Sequence, residues 1–456
     1  MAQNPPPQVD SAEHALQGRA IVHLVLMLLG VVAVHAFLYS FAGSRPPMQN
    51  VRWWQAIAGL VDAHGFFNVW TPYPPVFPAL FYGAHRILPA GWMQPAWQVF
   101  NIALVLGQAA LIFAICRKLV PGTPGVMPGS PATSRKVSAV AAFTWIVAMW
   151  QPRSAVLLGP WMDQFDYLPT FLLLLGLLLL LNGRDLPSAI VCGLGVMTKL
   201  FPGVLLLAAL PYLGLKRGAR YAAVTIAVCT IIAVPFLIAN SRAFMSTYRW
   251  SASRPAWESV WAWAFPPYGN REPIANLPET LNPTLVEARF AQPYDPQNDP
   301  IAQYRAASEK WYPVNQVTIP LQLAALAAVA LLMGRRRTPT GLCRGVLLLV
   351  LVFLFFSKGF SSYFIVWLAP LLCLAYPGAG GFALSALLIL LGNTELIGLR
   401  GQLAQLAGNA EAIQYYTKLG PPGFLFWGSI FARQAILAAV TVHQINRLWK
   451  NREIAL

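Results

Sequence analysis

The sequence predicts an all-α integral membrane protein with about twelve transmembrane helices. Hydrophobic residues make up 57% of the 456 positions and charged residues only 11%, and the mean hydropathy is +0.54. Apolar runs of roughly 17 or more residues recur along the chain, and a run of that length crosses the hydrocarbon core of a bilayer as a helix. Composition and run length together predict a polytopic helical bundle.

Polar or proline-containing segments separate the predicted spans. The segment 74–89 contains Pro74, Pro75 and Pro78, and we interpret it as a helix lying on the membrane surface. The two runs that flank Lys199 are short enough to form one broken hairpin. The spans are predicted at residues 20–42, 95–116, 137–150, 166–182, 187–198, 200–215, 221–240, 315–333, 345–357, 361–377, 382–397 and 421–445.

The net charge of +16 follows the predicted topology and does not indicate a nucleic-acid partner. The cations lie in short loops between spans, on the inner side if the N-terminus is cytoplasmic, as the positive-inside rule requires. Of the sixteen acidic residues, only Asp10, Glu13, Asp185 and Glu453 fall on that inner side. We therefore expect a plasma (inner) membrane protein whose functional face is external, or periplasmic.

This topology divides the chain into a cytoplasmic N-terminal tail, 1–19, a transmembrane domain, 20–445, and a cytoplasmic C-terminal tail, 446–456. The first apolar run is too long for the core of a removable signal peptide, so we interpret it as a retained span. Aromatic and polar residues are concentrated in the predicted external loops, at about 43–94, 151–166, 241–315 and 398–421.

A single acid, Asp62, lies in the first external loop, which continues to Tyr73-Pro74-Pro75. Residues 51–65, VRWWQAIAGLVDAHG, would form an amphipathic helix against the external bilayer surface. A carboxylate there is placed to act as a general base on a sugar hydroxyl, within reach of a lipid-borne donor. The alternative is an ordinary solvated residue on a surface helix, and position alone does not decide between the two.

Two further acids, Asp163 and Asp166, directly precede the predicted span 166–182. Acids are favourable in the first turn of a helix, so a capping role explains both without any function. However, Asp166 is close to the hydrocarbon, where a carboxylate is costly unless it faces a polar cavity. Both interpretations stay open.

Cations and aromatic residues at the external ends of spans could hold a phosphate or a sugar. Lys199 and Lys358 lie beside apolar runs, and Arg254 is followed closely by Trp257 and Glu258. A lipid-linked phosphate needs positive charge beside apolar surface. Contact with the phosphates of membrane lipids, or packing in an interfacial aromatic belt, is the alternative for each of these residues.

Several kinds of site are not indicated. The sequence contains no Walker loop, dinucleotide fingerprint, HExxH or Gly-x-Ser-x-Gly motif. The five cysteines show neither CxxC spacing nor clustering with histidine, so neither a disulfide framework nor a metal site is expected. We expect no metal and no cofactor, and we leave the oligomeric state open.

Five short motifs occur along the chain in a fixed order. They are Tyr73-Pro74-Pro75, Asp163-Gln-Phe-Asp166, Thr198-Lys199-Leu-Phe-Pro202, Arg254-x-x-Trp257-Glu258-Ser259 and Ser357-Lys358-Gly-Phe-Ser361-x-Tyr363. As an ordered set, from about residue 20 to 377, they resemble the GT-C membrane glycosyltransferases. The greatest similarity is to the branch of polyprenol-phosphate-mannose-dependent mannosyltransferases, glycosyltransferase family 87.

The resemblance implies a GT-C-like helical bundle that transfers a hexose, mannose-like, or a pentose. The donor would be a polyprenyl-phosphate-linked sugar, the acceptor a lipid or a glycan on the external face, and the reaction an inverting displacement with a carboxylate base. Membrane lipids and these two substrates are the expected partners. The predicted catalytic residues are Asp62, Asp166 and Asp163, and the predicted substrate-binding residues are Tyr73, Lys199, Arg254, Trp257, Glu258, Lys358 and Tyr363.

The chain departs from the family pattern in its first external loop. Family acids commonly precede the first loop helix and the Tyr-Pro-Pro motif, whereas this chain has Asn50, Asn68 and Pro72 there. Asp62 or Asp166 would then have to serve as the base. Two alternatives without catalysis are a lipid-linked sugar flippase or transporter, and a degenerate GT-C protein that acts as a partner subunit.

Overall fold

A computed structural model describes a large part of the chain. The described residues are 25, 29, 49–119 except 70 and 72, 165–253, 256, 258–264, 312–406 except 336, 362 and 363, and 421–450. They are helices joined by short connections, with no strand among them. The predicted span 137–150, and all but two residues of the predicted span 20–42, lie outside the described residues.

Thirteen α-helices occur in the described ranges, with 3₁₀ turns at Ala90–Trp92 and Phe201–Gly203. The α-helices are α1 (Gln49–His64), α2 (Val76–Ile87), α3 (Met93–Leu119), α4 (Tyr167–Leu181), α5 (Asp185–Val196), α6 (Val204–Leu213), α7 (Leu215–Ser253), α8 (Val260–Ala264), α9 (Tyr312–Met333), α10 (Pro339–Phe356), α11 (Ile365–Ala375), α12 (Ala379–Leu406) and α13 (Pro421–Trp449).

Five of the described helices are long and apolar enough to cross a bilayer, namely α3, α9 and α10 together with most of α7 and α13. Five further apolar segments, which include α4, α5 and α11, are shorter. The prediction of an all-helical membrane protein is therefore confirmed, whereas the number of twelve spans stays a prediction.

The core of the bundle is built around α10 and α11. Nearly every residue of α10 from Gly341 to Leu354 is buried, and α11 is buried from Ile365 to Leu374. In contrast, α7 carries exposed apolar side chains such as Ile226 and Ile231. A helix that is apolar on all sides, and whose side chains are not covered by the rest of the protein, is typical of one that faces lipid.

The predicted break around Lys199 is present. Helix α5 ends at Val196, and a 3₁₀ turn that contains Pro202 precedes α6. The carbonyl oxygen of Met197 accepts a hydrogen bond of 3.0 Å from the backbone N–H of Val76, at the start of α2. The break therefore holds the beginning of the predicted surface helix.

Helices α1 and α2 pack against each other through aromatic rings. Trp54 of α1 lies 4.7 Å from Phe77 and 5.7 Å from Phe81 of α2, measured between ring centroids. Helix α1 ends where Gly65 adopts a φ of +86°, a conformation that glycine takes without a side-chain clash.

Helix α7 is kinked at Asn240, whose backbone is not helical (φ −156°, ψ 82°). The Asn240 side chain accepts a hydrogen bond from the N–H of Ala243 at 3.0 Å and so caps the second half of the helix. It also donates to Asn68 at 3.3 Å, and Thr247 donates to the carbonyl of Thr71 at 2.5 Å. The second half of α7 is thereby fixed over the segment between α1 and α2.

Candidate active site

A buried ion pair joins two of the predicted site residues. The ammonium of Lys199 lies 2.5 Å from Oδ1 of Asp166, and the side chains are 16% and 3% exposed. The indole N–H of Trp367, on α11, donates to the same carboxylate oxygen at 2.8 Å. Asp166 directly precedes α4, yet its side chain does not cap that helix. The carboxylate of Asp166 therefore binds Lys199 and Trp367 and does not cap the helix.

Aromatic rings surround the ammonium of Lys199. Its Nζ lies 4.7 to 4.8 Å from the ring centres of Phe165, Phe364 and Trp367 and 5.7 Å from that of Tyr73. The negative faces of aromatic rings attract a cation, most strongly where water is excluded. The ion pair is therefore surrounded by rings from three separate parts of the chain.

A groove of about 560 Å³, counting space open to solvent, lies between α1, α2 and the second half of α7. Its walls are mainly apolar and aromatic, and they include Trp54, Phe66, Phe81 and Phe244. Tyr73 also lines the groove and packs 4.2 Å from Phe165, which contacts Lys199. The groove and the ion pair thus share Tyr73 as a common wall.

Asp62 is hydrogen-bonded to one groove residue, Tyr82, and its side chain is 36% exposed. Its Oδ1 accepts hydrogen bonds from the hydroxyl of Tyr82 at 2.9 Å and from Nη1 of Arg86 at 3.1 Å. Nε2 of His85 lies 3.7 Å from the other oxygen. Tyr82 is itself a groove residue, and the hydrogen bond to the carboxylate raises the pKa of Tyr82. The carboxylate of Asp62 is therefore oriented by residues of α2 and is accessible at the protein surface.

Lys358 lies in the connection between α10 and α11. Its ammonium donates to the side-chain oxygen of Asn315 at 2.6 Å, and its carbonyl accepts a hydrogen bond of 2.7 Å from the hydroxyl of Ser259. The neighbouring Glu258 has a φ of +48°, the left-handed region that only glycine adopts freely. The segments that carry Glu258 and Lys358 therefore touch each other directly.

The structure brings together part of the predicted site. Tyr73, Asp166 and Lys199 form one cluster, and Glu258 lies beside the Lys358 segment. Asp62 has different partners, on α2, and one of them, Tyr82, lines the groove. The other predicted site residues, Asp163, Arg254, Trp257 and Tyr363, lie outside the described residues.

Sequence reasoning missed three residues with prominent contacts. Trp367 binds Asp166, and Arg433 of α13 forms a fully buried ion pair with Glu395 of α12. The signal for the second pair was present, since an acid and a base within predicted spans are costly and call for a partner. No comparable signal marked Trp367, because a tryptophan in an apolar run is ordinary.

Within the described ranges, no three or more His, Cys, Asp or Glu side chains are grouped so that they could hold a metal ion. The cysteines there, such as Cys343 and Cys373, are free and mostly buried. That the protein uses no metal stays a prediction from the sequence. The described carboxylates and ammonium groups can support proton transfer and charge stabilisation.

Sequence similarity to a known protein family covers more than half of the chain. The sequence model of glycosyltransferase family 87 matches residues 70–357, which span Tyr73, Asp166, Lys199 and most of the bundle. No curated protein matches the chain at a significant level.

Proposed function

The chain belongs to glycosyltransferase family 87 and is a membrane glycosyltransferase, and we propose that its donor is a polyprenyl-phosphate-linked hexose, mannose-like, or pentose. The acceptor would be a lipid or a glycan on the external face of the plasma membrane. The observation that carries this proposal is the aromatic groove. Its residue Tyr82 binds the accessible carboxylate of Asp62, and its residue Tyr73 packs against a buried ion pair.

The groove suits an apolar ligand that carries a polar head. Its aromatic walls would pack against the first isoprene units of the donor, and such a mostly apolar cavity with few polar groups is typical of ligand sites. Tyr73 would lie beside the junction between the polyprenyl chain and the phosphate of the donor, since Tyr73 lies between the groove and the buried ammonium of Lys199.

We assign the phosphate chiefly to Lys358. Its ammonium donates to the neutral side-chain amide of Asn315 at 2.6 Å, and the sequence marks Lys358 as a cation beside an apolar run. Lys199, in contrast, already lies 2.5 Å from a carboxylate. Lys199 would add positive potential and hold the ring cluster, and Arg254 would join Lys358 at the phosphate. Trp257, Glu258 and Tyr363 would contact the sugar.

Asp62 is the proposed general base. It is 36% exposed and so can meet an acceptor hydroxyl, whereas Asp166 is 3% exposed and is bound by Lys199 and Trp367. A base must come within hydrogen-bond reach of the proton that it removes. Asp166 is the alternative base, and Asp163, which precedes it, is the third carboxylate proposed for the site.

The reaction would be a single displacement. Asp62 takes the proton of the acceptor hydroxyl, the acceptor oxygen attacks the anomeric carbon, and the bond from that carbon to the donor phosphate oxygen breaks. The configuration at the carbon inverts, and the polyprenyl phosphate leaves with its negative charge stabilised by Lys358. Positioning and charge stabilisation supply most of the rate in such a step.

The distribution of charge supports an external site. Asp185 pairs with Arg217, and Arg335 stacks on Trp449, at helix ends that lie away from the groove. Basic residues are favoured at cytoplasmic ends of spans, which would place the groove on the opposite, external side.

The test is transfer of radiolabel from polyprenyl-phosphate mannose in membranes that contain the full chain, compared with membranes that lack it. Label should appear in a lipid or glycan acceptor, and a nucleotide sugar should not replace the donor. Movement of labelled donor across the bilayer without transfer would instead identify a flippase. Tight donor binding without turnover would identify a non-catalytic partner subunit.

A further inference from the structure

A second charged cluster, formed by Arg433, Glu395 and the backbone segments around them, lies outside the groove. The Arg433 side chain is fully buried. It pairs with Glu395 through Nη1 and donates through Nη2 to the carbonyl of Glu258 at 2.6 Å and to that of Phe360 at 2.8 Å. One side chain thus joins α12, α13 and two connecting segments.

Such a cluster is expensive to build for stability alone. Burying two charges carries a large desolvation cost, and apolar residues of similar size often serve stability as well or better. What a planar guanidinium offers instead is several hydrogen bonds in fixed directions. The hydrogen bonds of Arg433 therefore indicate that its role is to fix the positions of the two connecting segments.

Both segments lead to Lys358. The hydroxyl of Ser259, next to Glu258, donates to the carbonyl of Lys358, and Phe360 follows Lys358 by two residues. Arg433 therefore holds the chain on both sides of the contact that orients Lys358. Glu258, whose carbonyl accepts the bond from the guanidinium, has a φ of +48°.

A row of stacked rings extends from the same point. Arg433 lies 4.1 Å from the ring centre of Phe360, Phe360 stacks on Phe364 at 6.3 Å, and Phe364 stacks on Trp367 at 4.1 Å. Phe364 and Trp367 are three positions apart, so both lie on one side of the chain as α11 begins. The row ends at the indole that donates to Asp166. Arg433 is thereby connected to both predicted cation positions, Lys358 and Lys199.

We propose that Arg433, with Glu395, is a positioning residue for the phosphate of the lipid donor and acts through Lys358. This inference rests on the proposed function, in which Lys358 holds that phosphate. Arg433 itself does not touch the donor. Its role is to fix the Ser259 and Phe360 segments, so that the ammonium of Lys358 meets the phosphate without reorganisation.

The test measures equilibrium binding of radiolabelled decaprenyl phosphate, and of decaprenol as the uncharged probe, to the full chain in detergent micelles. Arg433→Gln should weaken binding of the phosphate about tenfold, roughly the worth of one charge-assisted hydrogen bond, and leave decaprenol unchanged. Arg447→Gln, on the same helix, is the matched control and should bind both probes as the wild type does.

A double-mutant cycle separates positioning from a general structural role. Lys358→Met alone should also weaken phosphate binding about tenfold, and adding Arg433→Gln should weaken it little further, because both changes remove one interaction. Should Arg433→Gln not yield folded protein, Ser259→Ala removes the bond to the Lys358 carbonyl directly and should cause a several-fold loss specific to the phosphate.

Two results would overturn the inference. The first is a folded Arg433→Gln protein that binds decaprenyl phosphate with wild-type affinity. The second is a double variant whose loss of affinity equals the product of the losses in the two single variants. A wild-type chain that binds decaprenyl phosphate no better than decaprenol would instead overturn the proposed function. The two failures are therefore distinguishable.

Discussion

Replacement of Asp62 by asparagine separates its possible chemical role from its structural one. Asparagine has the same shape and keeps an oxygen that can accept hydrogen bonds from Tyr82 and Arg86. In the wild type these bonds to Asp62 are 2.9 and 3.1 Å long. The ion pair with Arg86 is exposed, and such pairs contribute about 0 to 1 kcal/mol to stability. The Asp62→Asn protein should therefore fold almost as well as the wild type.

The expected loss of activity is far larger than this loss of stability. A positioned general base contributes about 10² to 10⁴ in rate, which corresponds to roughly 3 to 5 kcal/mol. Asp62→Asn should therefore lower transfer from a radiolabelled polyprenyl-phosphate sugar at least a hundredfold in a membrane assay. Its thermal unfolding in detergent should stay close to that of the wild type.

The control variant is Arg86→Gln, which removes the ion pair and leaves the Asp62 carboxylate in place. It should change transfer only a few-fold. Full activity of Asp62→Asn would refute Asp62 as the base. If Asp166→Asn were then inactive yet folded, the base would be assigned to Asp166.

Four other predictions concern stability, ligand size and pH. Lys199→Met leaves the buried carboxylate of Asp166 unpaired and should lower the free energy of unfolding by roughly 3 kcal/mol, and adding Asp166→Leu should restore most of it, as measured by thermal unfolding. Ala243→Phe places a ring in the groove and should weaken binding of a long polyprenyl phosphate more than of a short one. Glu258→Gly should fold as well as the wild type, whereas Glu258→Pro, with φ fixed near −65°, should be destabilised by roughly 2 kcal/mol or more. The hydrogen bond to Asp62 raises the pKa of Tyr82, so this bond stabilises the folded protein fully below about pH 10. The stabilisation is lost as the pH rises through the raised pKa. Tyr82→Phe should therefore reduce the decline in melting temperature at alkaline pH.

The helices follow closely from local properties of the chain. The run predicted at 95–116 is found as Met93–Leu119, and the one at 315–333 as Tyr312–Met333, because long apolar segments have no other way to satisfy their backbone groups in lipid. The predicted span 221–240 is one part of a longer helix that continues to Ser253 beyond a kink. That continuation depends on the Asn240 side chain, which caps the second half and binds Asn68 from a distant loop.

The exceptional charged residues could be picked out from the sequence, but their pairings could not. Asp62, Asp166 and Lys199 stood out because isolated charges beside apolar runs are costly. Nothing local, however, shows that Asp166 binds Lys199 and Trp367, which lie 33 and 201 positions further along the chain. Nor does the sequence show that Asp62 is tied to Tyr82 and Arg86 of the next helix.

The sequence by itself determined that this chain is a helical membrane protein, that it breaks near Lys199, and which charged residues are exceptional. These properties depend on composition and on neighbours along the chain. Only the tertiary structure decided which carboxylate is buried and which is accessible, and that Arg433 joins Glu395 to the segments around Lys358. Those outcomes depend on distances between remote segments, and such distances are set by how whole helices pack.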